Sequence, residues 1–257
     1  MRKLLSLVAS LALVGSMLAF TAPVAAAASI GGCNDATTQT FQSGEKKSGF
    51  AIRGVYGEVY LASDAGACSP NDNLGGNAAG VQIGIAADLG GAFVTMGVIQ
   101  CNHVATGWPS SLCDDTYRLY AEQKGSTIWD YTMWDLGGAP VGGGTYDLQI
   151  SYGCSGHSTS YCWFFNGSLV KYFDMGSGLT PTNSDVTASW QVETKDRGDG
   201  LGNNVNGHSS GIGQIQYQKQ SDKLWYLKSV SGACDQIDAQ HKCVANGSYG
   251  FYAYTVN

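Results

Sequence analysis

Short runs in which apolar and polar residues alternate, each ended by turn-forming residues, recur along this chain and hold it to the two-residue period of a β-strand. The runs span 50–61, 80–86, 92–100, 117–122, 127–134, 145–152, 161–173, 184–194, 213–218, 224–230 and 249–256. Asn166-Gly167 and Asn246-Gly247 are tight-turn dipeptides, since both residue types tolerate the positive φ that two-residue hairpins require. Both also begin Asn-x-Ser sequons, which matter only in a glycosylating host. No stretch combines a helical period with caps, and 36 glycines penalise helices throughout. The pattern predicts an all-β fold, an antiparallel β-sandwich of jelly-roll or concanavalin-like type. In such folds one sheet bends, and side chains at i, i+2 and i+4 of neighbouring strands converge on its concave face.

The N-terminus orders a charged start (Arg2, Lys3), an apolar run over 4–20 and small residues up to Ala28, the layout of a secretory signal peptide. Residues 1–28 are therefore expected to be removed, leaving 29–257 as a single domain whose strands begin soon after the cleavage point, without a pro-segment. Lipidation at Cys33 is the rival reading, but it would strand an odd number of cysteines. Export favours disulfides over zinc, and no Cys-x-x-Cys pair is present. Pairing of sequence neighbours joins Cys33 to Cys68, Cys101 to Cys113, Cys154 to Cys162, and Cys234 to Cys243, one of many possible connectivities. The net charge of −6 becomes −8 once Arg2 and Lys3 leave, which disfavours nucleic acid. The expectation is a secreted extracellular monomer with no cofactor, no metal and no membrane anchor after cleavage, meeting a polypeptide or polysaccharide.

Several motifs compete for function. Gly207-His208-Ser209-Ser210-Gly211 matches a serine hydrolase elbow, but that elbow needs a helix after the serine and an alternating run follows here. Asp196-Arg197-Gly198-Asp199-Gly200 holds an Arg-Gly-Asp triplet and calcium-competent oxygens without the spacing of a helix-loop-helix site, so a solvated turn is expected. His103, His157, His208 and His241 show no metal-binding spacing. Glutamate is the informative residue: only Glu45, Glu58, Glu122 and Glu193 occur. Ser189, Gln191 and Glu193 share one strand face while Trp190 and Val192 take the other, and Tyr120 shares a face with Glu122.

These residues, in this order, resemble the eqolisin glutamic peptidases and, more distantly, the neprosins. Gln82-Ile83-Gly84-Ile85 followed by Ala92-Phe93-Val94-Thr95-Met96-Gly97 is similar to the family's Trp-Val-Gly-Ile and Ala-Ile-Leu-Gln-Thr-Gly segments. Tyr120-Ala121-Glu122 matches Trp-Tyr-Glu, and the stretch from Val186 to Glu193 resembles the segment ending in the family's catalytic glutamate. Trp190-Gln191-Val192-Glu193 also fits the neprosin Trp-Gly-Gly-Glu. The resemblance runs from about Phe50 to Tyr217. The eqolisin catalytic glutamine falls on Thr95, and the first neprosin glutamate falls near Ala78.

The resemblance implies a secreted β-sandwich endopeptidase working in acid, with Glu193 as general base on a water and an amide stabilising the oxyanion. Gln82, at the position of the family's groove tryptophan, is the candidate for that amide, with the Thr95 hydroxyl beside it. Glu122, Tyr120 and Gln191 are the implied substrate-binding residues. An ordinary glutamate titrates near ~4.3, so acid operation asks little tuning. The competing class is a non-catalytic, lectin-like module binding carbohydrate or peptide, using aromatics such as Trp129, Tyr131, Trp134, Tyr152, Trp163 and Tyr172.

Overall fold

Alternation becomes burial in β10 (Val186–Thr194), where Val186, Ala188, Trp190 and Val192 are fully buried between two sheets while Thr187, Ser189 and Gln191 point away. The same period places Val81, Ile83 and Ile85 of β3 (Asn77–Ala87) and Val94, Met96 and Val98 of β4 (Phe93–His103) in that core. The structure, a computed structural model, describes residues 41–63, 65–66, 77–87, 91–103, 108–114, 116–125, 131–138, 144–175, 178–182, 186–195, 200–202 and 209–256.

The other strands are β1 (Phe41–Lys47), β2 (Ile52–Tyr60), β5 (Tyr117–Lys124), β6 (Tyr131–Gly138), β7 (Thr145–Cys154), β8 (His157–Phe165), β9 (Ser168–Phe173), β11 (Ser210–Lys219), β12 (Trp225–Leu227), β13 (His241–Ala245) and β14 (Phe251–Thr255). All ladders are antiparallel. One sheet has six strands in the order β1-β10-β3-β4-β5-β6; the other has eight, ordered β13-β14-β11-β2-β7-β8-β9 with β12 alongside β11. This is the expected antiparallel sandwich. The only helical element among the described residues is a 3₁₀ turn, Ser110–Leu112, and none of their helices is long and apolar enough to cross a membrane.

Two buried tryptophans tie the sheets together. Trp163 of β8 donates its indole N–H to the Thr95 carbonyl of β4 at 2.9 Å, and Trp190 of β10 donates to the Tyr56 carbonyl of β2 at 2.7 Å. Each satisfies its one polar atom on the opposite sheet, so both large rings are buried without an unpaired donor. A second, smaller apolar cluster lies on the outer face of the six-stranded sheet, where Leu112 covers Ile99, Tyr120 and Met133. The Cys101–Cys113 disulfide holds the Ser110–Leu112 turn down over that face.

Cys154–Cys162 and Cys234–Cys243 are likewise bonded as sequence neighbours, whereas Cys33 and Cys68 lie outside the described residues. Three expectations are corrected. The run 161–173 is two strands, because Asn166 and Gly167 adopt φ of 47° and 76° and turn the chain there. The run 224–230 narrows to the three residues of β12. β1 and β13 had no counterpart among the expected strands, since neither carries a sustained apolar alternation.

Candidate active site

The outer face of the six-stranded sheet is organised by rows of residues in register. One row runs Gly44, Gln191, Gln82, Gly97, Tyr120 across β1, β10, β3, β4 and β5. The next runs Lys46, Ser189, Gly84, Thr95, Glu122, and a third begins Gln42, Glu193, Gly80. Glycines in mid-row let long neighbours lie flat. A Cβ on Gly97 would stand 2.8 Å from the Tyr120 ring and 2.9 Å from the Gln82 Cβ, so the phenol can cross β4 only because residue 97 has no side chain.

Tyr120 uses that passage to donate its hydroxyl to Gln82 Oε1 at 2.6 Å. Gln82 Nε2 then faces the other way, donating to Glu193 Oε2 at 2.9 Å and approaching Gln191 Oε1 at 3.4 Å. Gln42 Nε2 donates to the same Glu193 oxygen at 2.9 Å, and the Lys195 ammonium stands 3.8 Å from the other. Glu193 is only 6% exposed, so its charge is held by two amides and a cation rather than by bulk water.

Glu122 forms a second polar centre on the same face. Thr95 Oγ1 donates to its Oε1 at 2.7 Å and Tyr131 Oη to its Oε2 at 2.9 Å. Burial pushes its pKa up, the nearby Glu193 charge adds to the rise, and the Thr95, Lys195 and Tyr131 contacts oppose it. The Tyr120 and Tyr131 phenols are also raised, by burial first and by the neighbouring carboxylates second. Between these centres runs a groove of about 290 Å³, lined among others by Gln42, Gln82, Thr95, Glu122, Ser189 and Gln191. Glu193 is not itself part of the lining; it lies behind its partners Gln42 and Gln82, which are.

The structure thus brings Glu193, Gln82, Gln191, Tyr120, Thr95 and Glu122 onto one face from four strands. It divides their contacts differently from the sequence expectation: Thr95 bonds Glu122 and not the Glu193–Gln82 pair, and Tyr120 is buried under Leu112 rather than open to a ligand. Gln42, Lys195 and Tyr131 complete the network without having been marked for it. Gln42 lies on the unanticipated β1, and Lys195 lies just past the end of β10.

Other candidates resolve as follows. Ser209 leads into β11, and the Ser210 hydroxyl accepts from the Ala62 N–H at 3.0 Å and donates to the Leu201 carbonyl at 2.8 Å, so no helix follows and no nucleophile elbow forms. The stretch 196–199 and Trp129 lie outside the described residues. Trp163 is buried in the core, with Trp134 and Tyr152 packed against it, while Tyr172 lies on β9 of the other sheet. Of the aromatics marked from the sequence as a stacking surface, Tyr131 is the one that joins this network, through Glu122, while Phe93, not marked, lines the groove and packs on it with ring centroids 6.4 Å apart. Among the described residues no group of three or more His, Cys, Asp and Glu side chains is placed to hold a metal ion.

No protein-family model and no curated protein matches the sequence. In fold the chain is similar to Scytalido-glutamic peptidase, solved with a peptide-based transition state analog, with a TM-score of 0.51 at 13% identity over 85% of this chain and 99% of that one. It is also similar to SCP-B, a member of the Eqolisin family solved with the tripeptide Ala-Ile-His, with a TM-score of 0.49 at 12% identity over the same shares. A Bacteroides ovatus mixed linkage glucan GH16 protein in complex with a product gives a TM-score of 0.38 at 8% identity, over 62% of this chain and 68% of that one.

Proposed function

We propose that this chain is a secreted acid endopeptidase of the glutamic type, with Glu193 as general base and Gln82 as oxyanion donor. The observation that carries the reading is the 2.9 Å hydrogen bond to Glu193 from Gln82 Nε2, whose side chain lines a groove on the outer face of the six-stranded sheet. A carboxylate able to take a proton and an amide N–H able to meet a developing negative charge then stand side by side.

In the proposed reaction Glu193 takes a proton from a water, whose oxygen bonds to the peptide carbonyl carbon. The resulting oxyanion accepts from the Gln82 N–H now directed at Gln191, the longer of that amide's two contacts at 3.4 Å. Collapse of the intermediate breaks the C–N bond, and protonated Glu193 gives its proton to the departing nitrogen. Glu122, which holds its proton to higher pH than an ordinary carboxyl, offers a hydroxyl to a substrate carbonyl farther along the groove. Three described disulfides support the proposed extracellular setting, with residues 1–28 as signal peptide and Ser29 near the mature N-terminus.

The test is casein hydrolysis across acid and neutral pH. Wild type should cleave in acid, Glu193→Gln should lose about 10²- to 10⁴-fold and Gln82→Ala about 10²- to 10³-fold. Undiminished cleavage by Glu193→Gln, or none by wild type at any pH, would sink the assignment.

A further inference from the structure

A trough of about 560 Å³, roomier than the groove, lies on the outer face of the eight-stranded sheet, on the opposite side of the sandwich. Its floor is bare backbone. Gly211 of β11 pairs in register with Tyr60 of β2 on one side and Tyr252 of β14 on the other, and Gly213 pairs with Glu58. The two glycines have different reasons to be there. A Cβ on Gly211 would lie 2.4 Å from the Phe251 carbonyl oxygen, so packing demands glycine. At Gly213 the nearest atom, Glu58 Oε2, is 3.9 Å away, so packing would accept a side chain and its absence leaves the trough open.

We propose that this trough binds a neutral oligosaccharide, one pyranose ring seated between Tyr60 and Tyr252. The two tyrosines stand two strand spacings apart, about 10 Å between backbones. That separation admits a sugar ring but is too wide for two rings to cage a methylated ammonium. Tyr252 is held in place by stacking on Tyr254, with centroids 6.5 Å apart and planes 21° apart. Apolar ring faces of a sugar stack on such aromatics, and its hydroxyls can meet the Glu58 carboxylate, the Asn246 amide and the Thr145 hydroxyl that also line the trough.

Two other ligand classes fit worse. Among the described lining residues there is no Lys, Arg or His to receive an anionic ligand. An extended peptide would need free main-chain partners, but β11 is already laddered to β2 and β14 on its two sides along this floor.

The site is independent of the proposed peptidase groove, and its test does not need proteolysis. The purified full chain is titrated calorimetrically with cellotetraose, mannotetraose, maltotetraose, tetragalacturonate and tetramethylammonium. At least one neutral tetrasaccharide should bind saturably, and Tyr252→Ala and Gly213→Val should each weaken it about tenfold or more, the scale of a lost ring contact. Gly213→Val fills the trough without touching the core, so its melting temperature should match wild type; Tyr252→Ala serves alone if it does not. Glu193→Gln should bind as wild type does. The proposal is overturned if no neutral tetrasaccharide saturates, if tetragalacturonate or tetramethylammonium binds as tightly, or if the trough substitutions leave affinity unchanged.

Discussion

A glutamine amide presents a donor at one end and an acceptor at the other, and only one of its two orientations suits Gln82. An ionised Glu193 can only accept, so Oε1 turned toward it would set two acceptors face to face. The Tyr120 hydroxyl, donating to Oε1, fixes the productive orientation from the opposite side. Tyr120→Phe should therefore do two things that measurements separate. Loss of a donor to a buried carbonyl oxygen should cost about 1–3 kcal/mol in urea unfolding, and freed rotation of the amide should lower kcat about tenfold or more with KM little changed. A substitution that lowered stability but left kcat untouched would assign Tyr120 to packing alone. At this scale strand alternation showed that Gln191 shares a face with Glu193 and Tyr120 with Glu122, whereas Gln82 was brought to them by the resemblance. The sequence did not show Tyr120 as buried, since its cover, Leu112, comes from a turn folded back by a disulfide. Nor did it show Lys195 beside Glu193, because a residue past a strand's end has no face to be read.

β1 is a strand for reasons that local sequence does not contain. Phe41-Gln42-Ser43-Gly44-Glu45-Lys46-Lys47 lacks apolar alternation, yet it pairs with β10 along its length. On its free side the segment after β12 clasps it: Gly44 and Gln236 exchange backbone hydrogen bonds at 2.7 and 2.9 Å, and the Asp238 N–H donates to Ser43 Oγ at 3.2 Å. The Cys234–Cys243 disulfide closes this clasp. Glu45, 1% exposed, is paired with the Lys228 ammonium, which also lies 3.1 Å from Asp235. Partners so distant in the chain explain why β1 and its Gln42 escape a reading of local pattern, while the strongly alternating β3, β4 and β10 do not. Burial raises the Glu45 pKa, against the opposing pull of Lys228. Lys228→Met would leave that carboxylate buried without its cation, at a cost of about 3 kcal/mol near pH 7. The loss should shrink at about pH 4, where Glu45 takes up a proton. Chemical denaturation at the two pH values checks this, and an equal loss at both would show that the ion pair does not hold β1.

For the whole molecule, the carboxyls with altered proton affinity set how stability follows pH. Glu122 and Glu45 both sit above their ordinary value of 4.5 in the folded state, each chiefly through burial. As pH rises past that value the unfolded chain releases these protons while the native protein still holds them. The native state then binds more protons than the unfolded one, and stability falls with rising pH until the folded groups also ionise. Asp114 and Asp222 act in the opposite sense. Hydrogen bonds from Arg118 and Thr116 to Asp114, and from Tyr226 and the Leu224 N–H to Asp222, hold both below 3.8, so their support is present above that value and lost only in stronger acid. Both are surface groups whose contribution solvent screens. The raised glutamates thus disfavour neutral pH relative to mild acid, and the lowered aspartates, Asp235 among them, disfavour strong acid. Glu122 is the group to change, because Glu193 on β10, Lys195 beyond it, Thr95 on β4 and Tyr131 on β6 all act on it. Glu122→Gln cannot ionise and keeps one acceptor oxygen, so of the Thr95 and Tyr131 hydroxyls, which donate to different Glu122 oxygens, one must turn to accept from the new amide. Melting temperatures between about pH 4 and about pH 7 should therefore fall less steeply in Glu122→Gln than in wild type, and adding Glu45→Gln should flatten the profile further. Parallel profiles for the three proteins would mean that neither carboxyl titrates differently on folding, and the groove would lose its acid-tuned partner to Glu193.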